Sequence, residues 1–432
     1  MSKGKEIIQA LKEEKLEQVE VNTQKGWRKK VEIKNSEINS YKEEAFNYHT
    51  IRVFKNKKKG IFHFETWEKN FAPYVCEATL NSEPDPYFDS LPFSQEVIPV
   101  EGLYSSSLEE IKGEDLLKET KKIIGKAKGV ESSVVLSGSM EVSYQEWEIV
   151  NSLGIEVQFP LTFFEITLEA IIWGKNGAGS FYDFEKSHRW EESCIEELPL
   201  RVVRKAKNYL NKKRIKTGVY TLILSPLSTH IFLHTLAFSL NARDIQKKRS
   251  FMEGKLKEKI STDIFTLIDN GRIPEGIASS PCDGEGVPHR EITVIENGIL
   301  KTYFHNSYTA HKDKVENTAH ASPGGGISPT NLILKRGERN SRQILKSHKE
   351  AIFADILSFS PHPVSGEFSV PLDFAYKIEG GEFVYPIESA MVGGNFQEIL
   401  LHINEISSDF RPFPGNPTPY IVIDKVNVVG GV

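Results

Sequence analysis

The sequence is poor in cysteine and has no long apolar run. Cys76, Cys194 and Cys282 are its only cysteines, at wide spacings and without a C-x-x-C pair. This spacing argues against a disulfide framework and a thiolate zinc knuckle. No apolar stretch approaches the roughly 20 residues of a membrane-spanning helix. The start, MSKGKEIIQALKEEKLEQ, lacks the apolar core of a secretory signal, so we expect a cytoplasmic protein with no membrane partner.

Basic residues are not in excess either. Lys and Arg total 54 against 59 Asp and Glu, for a net charge of −5 and an estimated pI of 6.2. A dedicated nucleic-acid binder is usually basic, so this class is disfavoured. With 432 residues, 39% of them hydrophobic, the chain can bury a large core and divide into two or three domains.

The apolar pattern predicts an α+β fold with mainly antiparallel sheets and flanking helices. A helical pattern near the start precedes alternating, strand-like segments, and KNKKKG (55–60) has the composition of a hairpin tip. Residues 191–216 are predicted to form an amphipathic helix with a basic face, and strands and glycine-rich loops follow it. We therefore place an N-terminal α+β domain at 1–216 and a C-terminal β-rich domain at 217–432.

The segment THIFLH contains the strongest candidate for a metal site. On a helix predicted over 229–241, His230 and His234 share one face, as two ligands of one zinc ion do. The metalloprotease pattern H-E-x-x-H requires a glutamate at the next position, which is Ile231. The segment is apolar on nearly every side, so the favoured interpretation is two buried, neutral histidines satisfied by neighbours. Further histidines, without the spacing of zinc ligands, are His289, His305, His311 and His320.

Other catalytic patterns are weaker. LSGSM (136–140) is not G-x-S-x-G, so Ser139 is predicted to be an ordinary strand residue. PGGGIS (323–328) lacks the G-K-[ST] ending of a phosphate-binding loop, and close backbone packing explains its glycines. Cys282 is predicted to be a small buried thiol rather than a nucleophile.

The C-terminal half carries a long resemblance to a known family. GIASSPCDGEGVPHREITVIENGILKTYFHNSYTAHK (276–312) resembles a segment of the TldD/PmbA family, and the similarity continues through GGGISPTNLIL (324–334), SGEFSV (365–370) and IEGGEFVYPIESAMVGGNFQEIL (378–400). NSLGIEVQ (151–158) and KKGIFHFET (58–66) match the N-terminal half more weakly. The resemblance implies the two-domain TldD/PmbA-like fold over nearly the whole chain.

The resemblance also separates two kinds of subunit. TldD-type chains carry H-E-x-x-x-H and a C-terminal cysteine that complete a zinc site, whereas TldE-type chains, also called PmbA, lack this site. Here His234 matches the second histidine, but Thr229 and His230 stand at the first histidine and the glutamate, and no cysteine lies near the C-terminus. The resemblance therefore implies a metal-free chain without catalytic residues.

The implied function is that of a TldE/PmbA-like subunit, inactive alone, which pairs with a TldD-like zinc metalloprotease. The heterodimer would degrade or process unfolded peptides, for example by removing leader peptides from modified peptides. One alternative is a self-sufficient metal-dependent hydrolase that uses His230 and His234. Another is a nucleic-acid or gyrase-associated factor, suggested by the family's older description and by the basic stretches 201–216 and 243–259. The second stretch is interpreted as a solvated helix face.

Overall fold

The computed structural model describes residues 2–175, 177–413 and 415–431. In the described part of the first half, five α-helices accompany six long or medium strands. In chain order the elements are α1 (Lys3–Glu13), β1 (Gln18–Lys34), β2 (Glu37–Lys55), β3 (Lys58–Phe64), α2 (Ala72–Leu80), α3 (Ser106–Glu109), α4 (Gly113–Val130), β4 (Val135–Asn151), β5 (Glu156–Gly174), β6 (Gly177–Ser187) and α5 (Glu192–Asn208).

The first-half strands form one antiparallel sheet in the order β3-β2-β1-β4-β5-β6. Alternating apolar residues such as Val19 and Val21 direct one face of β1 into a buried core. The predicted hairpin tip is confirmed, because Asn56 and Lys57, both at positive φ, form the turn between β2 and β3. Helix α5 ends at Asn208, eight residues before the end of its predicted span.

The described part of the second half contains many shorter elements. They are β7 (Lys213–Arg214), β8 (Gly218–Leu224), α6 (Pro226–Ser239), α7 (Ala242–Gln246), β9 (Leu267–Asn270), β10 (Glu291–Glu296), β11 (Ile299–Leu300), α8 (Ser307–Asp313), β12 (Ala321–Ser322), β13 (Gly326–Ile327), β14 (Leu332–Leu334), α9 (Ser341–Ser347), β15 (Glu350–Ile356), β16 (Glu367–Pro371), β17 (Phe374–Glu379), β18 (Glu382–Glu388), β19 (Met391–Asn395), α10 (Phe396–Leu401), β20 (Ile403–Phe413) and β21 (Asn416–Val429).

The largest second-half sheet has the order β16-β19-β21-β8-β15-β17-β18-β7, and β20 pairs with β21. Its pairs are antiparallel except β8 with β15 and β7 with β18. A smaller sheet, β11-β10-β9-β14, and the hairpin β12-β13 complete this half as described. The predicted α+β class with mainly antiparallel sheets and flanking helices is confirmed.

The two halves share buried surface. One hydrophobic cluster joins Val203 of α5 to Phe353 of β15 and Val422 of β21, from opposite sides of residue 217. This packing fixes the second-half sheet against α5. None of the helices described here combines the length and the apolar character that crossing a bilayer requires.

Candidate functional site

Helix α6, which carries the histidine pair, begins at a well-defined cap. Ser225 precedes it in extended conformation, and its hydroxyl accepts a hydrogen bond from the backbone N–H of Ser228 at 3.3 Å. Pro226 occupies the first helical position, where its missing N–H costs no helical hydrogen bond. The helix spans Pro226–Ser239, so it starts three residues before the predicted span and ends two residues earlier.

One stripe of α6 lies outside the core. Phe238 is 57% exposed, and His230 and His234 are only partly covered. These positions recur every four residues and therefore lie on one face. The predicted burial of the helix holds for most of its residues, whereas Phe238 is exposed and the two histidines are only partly buried. The core-facing residues of its second and third turns are Phe232, Leu233, Leu236 and Ala237.

The two imidazoles pack against each other and against aromatic rings. The ring centroids of His230 and His234 are 4.4 Å apart, and the ring of His230 lies 5.1 Å from that of Phe413. Burial, followed by the charges of His234 and Arg411, lowers the pKa of His230 to about 3. Burial also lowers the pKa of His234. Both imidazoles are therefore neutral at pH 7.

The predicted hydrogen-bond partners of this pair are not found. Among residues 2–175, 177–413 and 415–431, neither His230 nor His234 forms a hydrogen bond through its ring, and the contacts of both rings are aromatic. The side-chain oxygen of Thr229, buried on the same helix, also lacks a partner within these ranges. The neighbours found for the two imidazoles within these ranges are aromatic rings, and hydrogen bonding to neighbours stays a prediction.

The surroundings of the pair do not fit a zinc ion. Structural and catalytic zinc sites need at least three protein ligands. In the part of the chain that the structure describes, no three histidine, cysteine, aspartate or glutamate side chains are grouped as metal ligands. Arg411, whose guanidinium donates to Asp183 at 2.8 Å, adds positive charge next to His230. Because Asp183 and Glu185 balance much of this charge, the missing third ligand is the main argument against zinc.

The carboxylate whose charge acts on the pKa of His234 is Asp269, and both of its oxygens already accept hydrogen bonds. His320 donates through Nε2 to Asp269 Oδ1 at 3.0 Å. The backbone N–H of Thr330 donates to Oδ2 at 2.7 Å, and the Thr330 hydroxyl donates to Oδ1. Asp269 is 1% exposed. These bonds fix the connection between β9 and the segment before β14, so Asp269 has a structural role.

The remaining candidate histidines do not approach a common point with the pair. His289 is buried, and burial, followed by the neighbouring His320, lowers its pKa to about 4. His305 lies 3.3 Å from the Thr309 hydroxyl, and His311 is exposed, 3.5 Å from Asp89. Each of these side chains thus has contacts of its own, away from the His230 and His234 pair.

The weaker catalytic patterns have ordinary structural explanations. Ser139 lies in β4 opposite Thr167 of β5, within a regular strand pair. PGGGIS forms the β12-β13 hairpin, and a side chain at Gly325, where φ is +86°, would meet the Arg52 guanidinium at 2.9 Å. Cys282 is 2% exposed, and burial, followed by the charge of Asp283, raises its pKa, so it carries little thiolate.

Three of the four basic residues of α5 are paired with carboxylates of this chain. Arg201 binds Asp183, Lys205 binds Asp355 at 2.7 Å, and Lys207 binds Glu131. The predicted helix face at 243–259 was wrong, since α7 ends at Gln246 and turns follow because Lys248 and Gly254 adopt positive φ. Charges that are already paired attract phosphates weakly.

Two features of the interface between the halves were missed by sequence reasoning. Arg52 of β2 donates through Nε and Nη2 to Glu20 at 2.8 and 2.5 Å, and through Nη1 to Glu285 at 2.9 Å. A cavity lined by charged residues, including Lys59, adjoins this triad. Arg52 and Glu285 lie 233 positions apart in the chain, so no local spacing predicts their contact.

Two family models match the chain. Residues 217–430 match the PmbA/TldA metallopeptidase C-terminal domain, and residues 103–210 match the PmbA/TldA metallopeptidase central domain. Together these matches cover more than half of the chain.

Individual proteins are similar over most or part of the sequence. An uncharacterized protein of Methanocaldococcus jannaschii is 27% identical over 392 residues, which are 89% of this chain and 90% of that protein. A metalloprotease PmbA homolog of Buchnera aphidicola is 27% identical over 65% of this chain and 62% of its own length. The crystal structure of TldE from Thermococcus kodakarensis matches with a TM-score of 0.88 and 24% identity over 99% of both chains, which shows a shared fold.

Proposed function

The chain belongs to the TldD/PmbA family of metallopeptidases, and we propose that it is a non-catalytic, TldE/PmbA-like subunit that pairs with a TldD-like zinc-binding subunit. The heterodimer cleaves unfolded peptides, including leader peptides of modified peptides, at the metal of the partner. In this proposal the present chain supplies walls and binding surface, and it holds no cofactor of its own.

The surroundings of His230 carry the proposal. Thr229 and His230 stand at the positions of the family's first histidine and glutamate, and the charge of Arg411 helps to lower the pKa of His230. A metal-bound water and a glutamate base are what a zinc peptidase needs at this point. Arginine and an aromatic ring, Phe413, instead favour a packed, cation-free helix surface.

The long sheet of the first half suits a chamber wall. Strands β1, β2, β4 and β5 have 17 to 19 residues each, so they extend well beyond the helices that cover them. The open edge of β16 in the second half supports a further role, because an unpaired edge can bind an extended peptide by adding it as a strand. Folded proteins cannot present such a strand, so the subunit would select unfolded segments.

We predict that the purified chain binds far less than one zinc per molecule. His230 and His234 provide two neutral imidazoles, but a third ligand is missing from the described residues. Elemental analysis after gel filtration measures the content, for the wild type and for His234→Ala. Stoichiometric zinc that His234→Ala abolishes would contradict the proposal and favour a self-sufficient hydrolase.

We predict that peptide cleavage requires the heterodimer. Co-expression with a TldD-like chain should give a one-to-one complex on size-exclusion chromatography that cleaves an unstructured peptide, whereas this chain alone should be inactive. A complex whose partner lacks its motif glutamate is the matched control, and it should assemble but not cleave. Full activity of the partner alone, or cleavage by the control complex, would show that the proposed division of roles is wrong.

A DNA-binding measurement on the same preparation distinguishes the proposed peptidase subunit from a nucleic-acid factor. The pairing of Arg201, Lys205 and Lys207 with carboxylates supports the former. A nucleic-acid factor should bind DNA with an affinity that falls steeply as salt increases. We expect negligible DNA binding at physiological salt.

A further inference from the structure

A cavity of about 160 Å³ lies where the two halves of the chain meet. Its first wall comes from β2, β3 and the loop that follows α2, and its second wall comes from α7, α8 and the β12-β13 turn. A single water needs roughly 10–15 Å³ of such space, so the cavity has room for a small ligand.

Four cations without ion-pair partners line this cavity. They are Lys59, Arg243, Lys247 and Lys312. Within the described ranges, none of these side chains forms an ion pair or donates a hydrogen bond; the ammonium groups of Lys59 and Lys312 lie 5.7 and 4.5 Å from the rings of Tyr308 and Tyr87. Elsewhere in this chain, partly buried cations such as Lys205 and Arg201 are paired with carboxylates. Arg243 and Lys247 are exposed, whereas Lys59 and Lys312 are half-buried without an ion pair, and these two are the distinctive members of the set.

Among the four cations, Lys59 is the one whose pKa is lowered by burial and by neighbouring charges. It is half-buried in β3, on the side opposite Lys58, whose ammonium donates to the backbone carbonyl of Leu80 at 2.5 Å. Burial, followed by the charges of Arg52 and Arg243, lowers the pKa of Lys59. Holding an ammonium group in such surroundings costs free energy that an anion would offset.

The carboxylates of the cavity do not balance its cations. Glu285 is bound to Arg52 at 2.9 Å. Asp85 accepts a hydrogen bond from the hydroxyl of Tyr308, and its charge acts to raise the pKa of Lys59 but does not outweigh burial and the neighbouring cations. Asp89 is 68% exposed and lies at the rim, so water screens its charge. The cations thus exceed the carboxylates available to them.

One wall of the cavity is apolar. The rings of Phe54 and Phe88 stack with centroids 3.7 Å apart, and Leu91 lies beside them. A ligand that fills the cavity would place its charged group against Lys59 and Arg243 and its apolar part against these side chains. Small-molecule sites commonly combine an apolar lining with a few fixed polar groups.

We propose that this cavity binds an oxyanion, a carboxylate or phosphate group, carried on a small apolar body. Lys59 and Arg243 would bind the oxyanion through charge-assisted hydrogen bonds, and Lys247 and Lys312 would add long-range attraction. The ligand would contact both halves of the chain. Binding requires no partner subunit, so it can be measured on the purified chain.

Isothermal titration calorimetry with three probes tests the site. N-acetylphenylalanine presents a carboxylate on an aromatic body, phenyl phosphate presents a phosphate, and N-acetylphenylalaninamide lacks the charge. We expect at least one of the two acids to bind, with the amide weaker by about tenfold or more, because a charge-assisted hydrogen bond contributes about 1.5–3 kcal/mol. Whichever acid binds identifies the oxyanion.

Lys59→Met should weaken acid binding by about tenfold or more. Lys248→Met is the matched control, because Lys248 is exposed near Lys247 but does not line the cavity, and binding should be unchanged. Without ligand, Lys59→Met should unfold at the same temperature as the wild type or higher, since it removes a partly desolvated charge.

Equal binding of acid and amide, wild-type affinity in Lys59→Met, or no binding of either acid would overturn the proposal. Any of these results would leave the heterodimer test unaffected, because that test measures cleavage.

Discussion

Replacing Arg52 by methionine is expected to lower the free energy of unfolding by roughly 3–5 kcal/mol. The side chains of Arg52, Glu20 and Glu285 are 5%, 0% and 2% exposed, so water cannot solvate the carboxylates that the substitution leaves behind. Methionine keeps most of the apolar volume of the arginine stem, so the loss reports the charge and not a cavity. Glu285 belongs to the second half of the chain, and the effect should therefore include weaker contact between the halves.

Urea denaturation followed by tryptophan fluorescence measures this effect. Arg28→Met is the matched control, because Arg28 lies on β1 in an ion pair with Glu141 whose side chains are 46% and 27% exposed. That control should cost less than about 1 kcal/mol. Adding Glu285→Gln to Arg52→Met should recover part of the loss, since it removes one unpaired charge. A cost for Arg52→Met no larger than that of the control would contradict the role assigned to the triad.

Acidification is expected to destabilise the chain strongly below pH 6.5, in part through His230. Burial, His234 and Arg411 lower its pKa to about 3, whereas in the unfolded chain it titrates near 6.5. The folded state therefore binds fewer protons in this window, so the stability is complete above the unfolded pKa and is lost as the pH falls towards the folded pKa. His230 alone should contribute a slope of about 1.4 kcal/mol per pH unit. Other histidines whose pKa is lowered, burial being the largest cause, add to it: His49, His188, His234, His289 and His305.

His230→Phe isolates the contribution of this residue. Phenylalanine retains an aromatic ring against Phe413 but cannot take up a proton. Between pH 6.5 and 4, the slope of the unfolding free energy against pH should therefore decrease by the contribution of one bound proton, about 1.4 kcal/mol per pH unit. Phe238→Leu, on the same face of α6, changes no titratable group and should leave the slope unchanged. The same slope in His230→Phe and the wild type would mean that His230 is not held neutral by its surroundings.

Local patterns predicted much of the secondary structure. The hairpin at Asn56 and Lys57 and the early helix α1 follow from turn chemistry and from apolar periodicity, both of which act over a few residues. Element ends were less well predicted. Helix α6 begins at Pro226 because Ser225 caps it, and α7 stops at Gln246 although basic residues continue. Caps and positive-φ turns depend on single residues within a longer pattern.

The candidate site shows the opposite balance. The loss of the zinc motif at Thr229 and His230 could be read from the residues, because a ligand set is a matter of residue identity. The burial of His230 and the identity of its neighbours could not be predicted from the sequence. The helix periodicity left its face undecided, and Phe413 and Arg411 arrive there from β20, far along the chain.

The sequence by itself determined the family, the mixed class of fold and the absence of the H-E-x-x-x-H ligands, because these depend on residue identity and short-range periodicity. Only the tertiary structure decided which charges are paired. Arg52 meets Glu285 across 233 positions, whereas Lys59, on the neighbouring strand, lines a cavity and forms no ion pair with any residue that the structure describes. Electrostatic free energy depends on distance and burial in three dimensions, and neither quantity can be read from the order of residues along the chain.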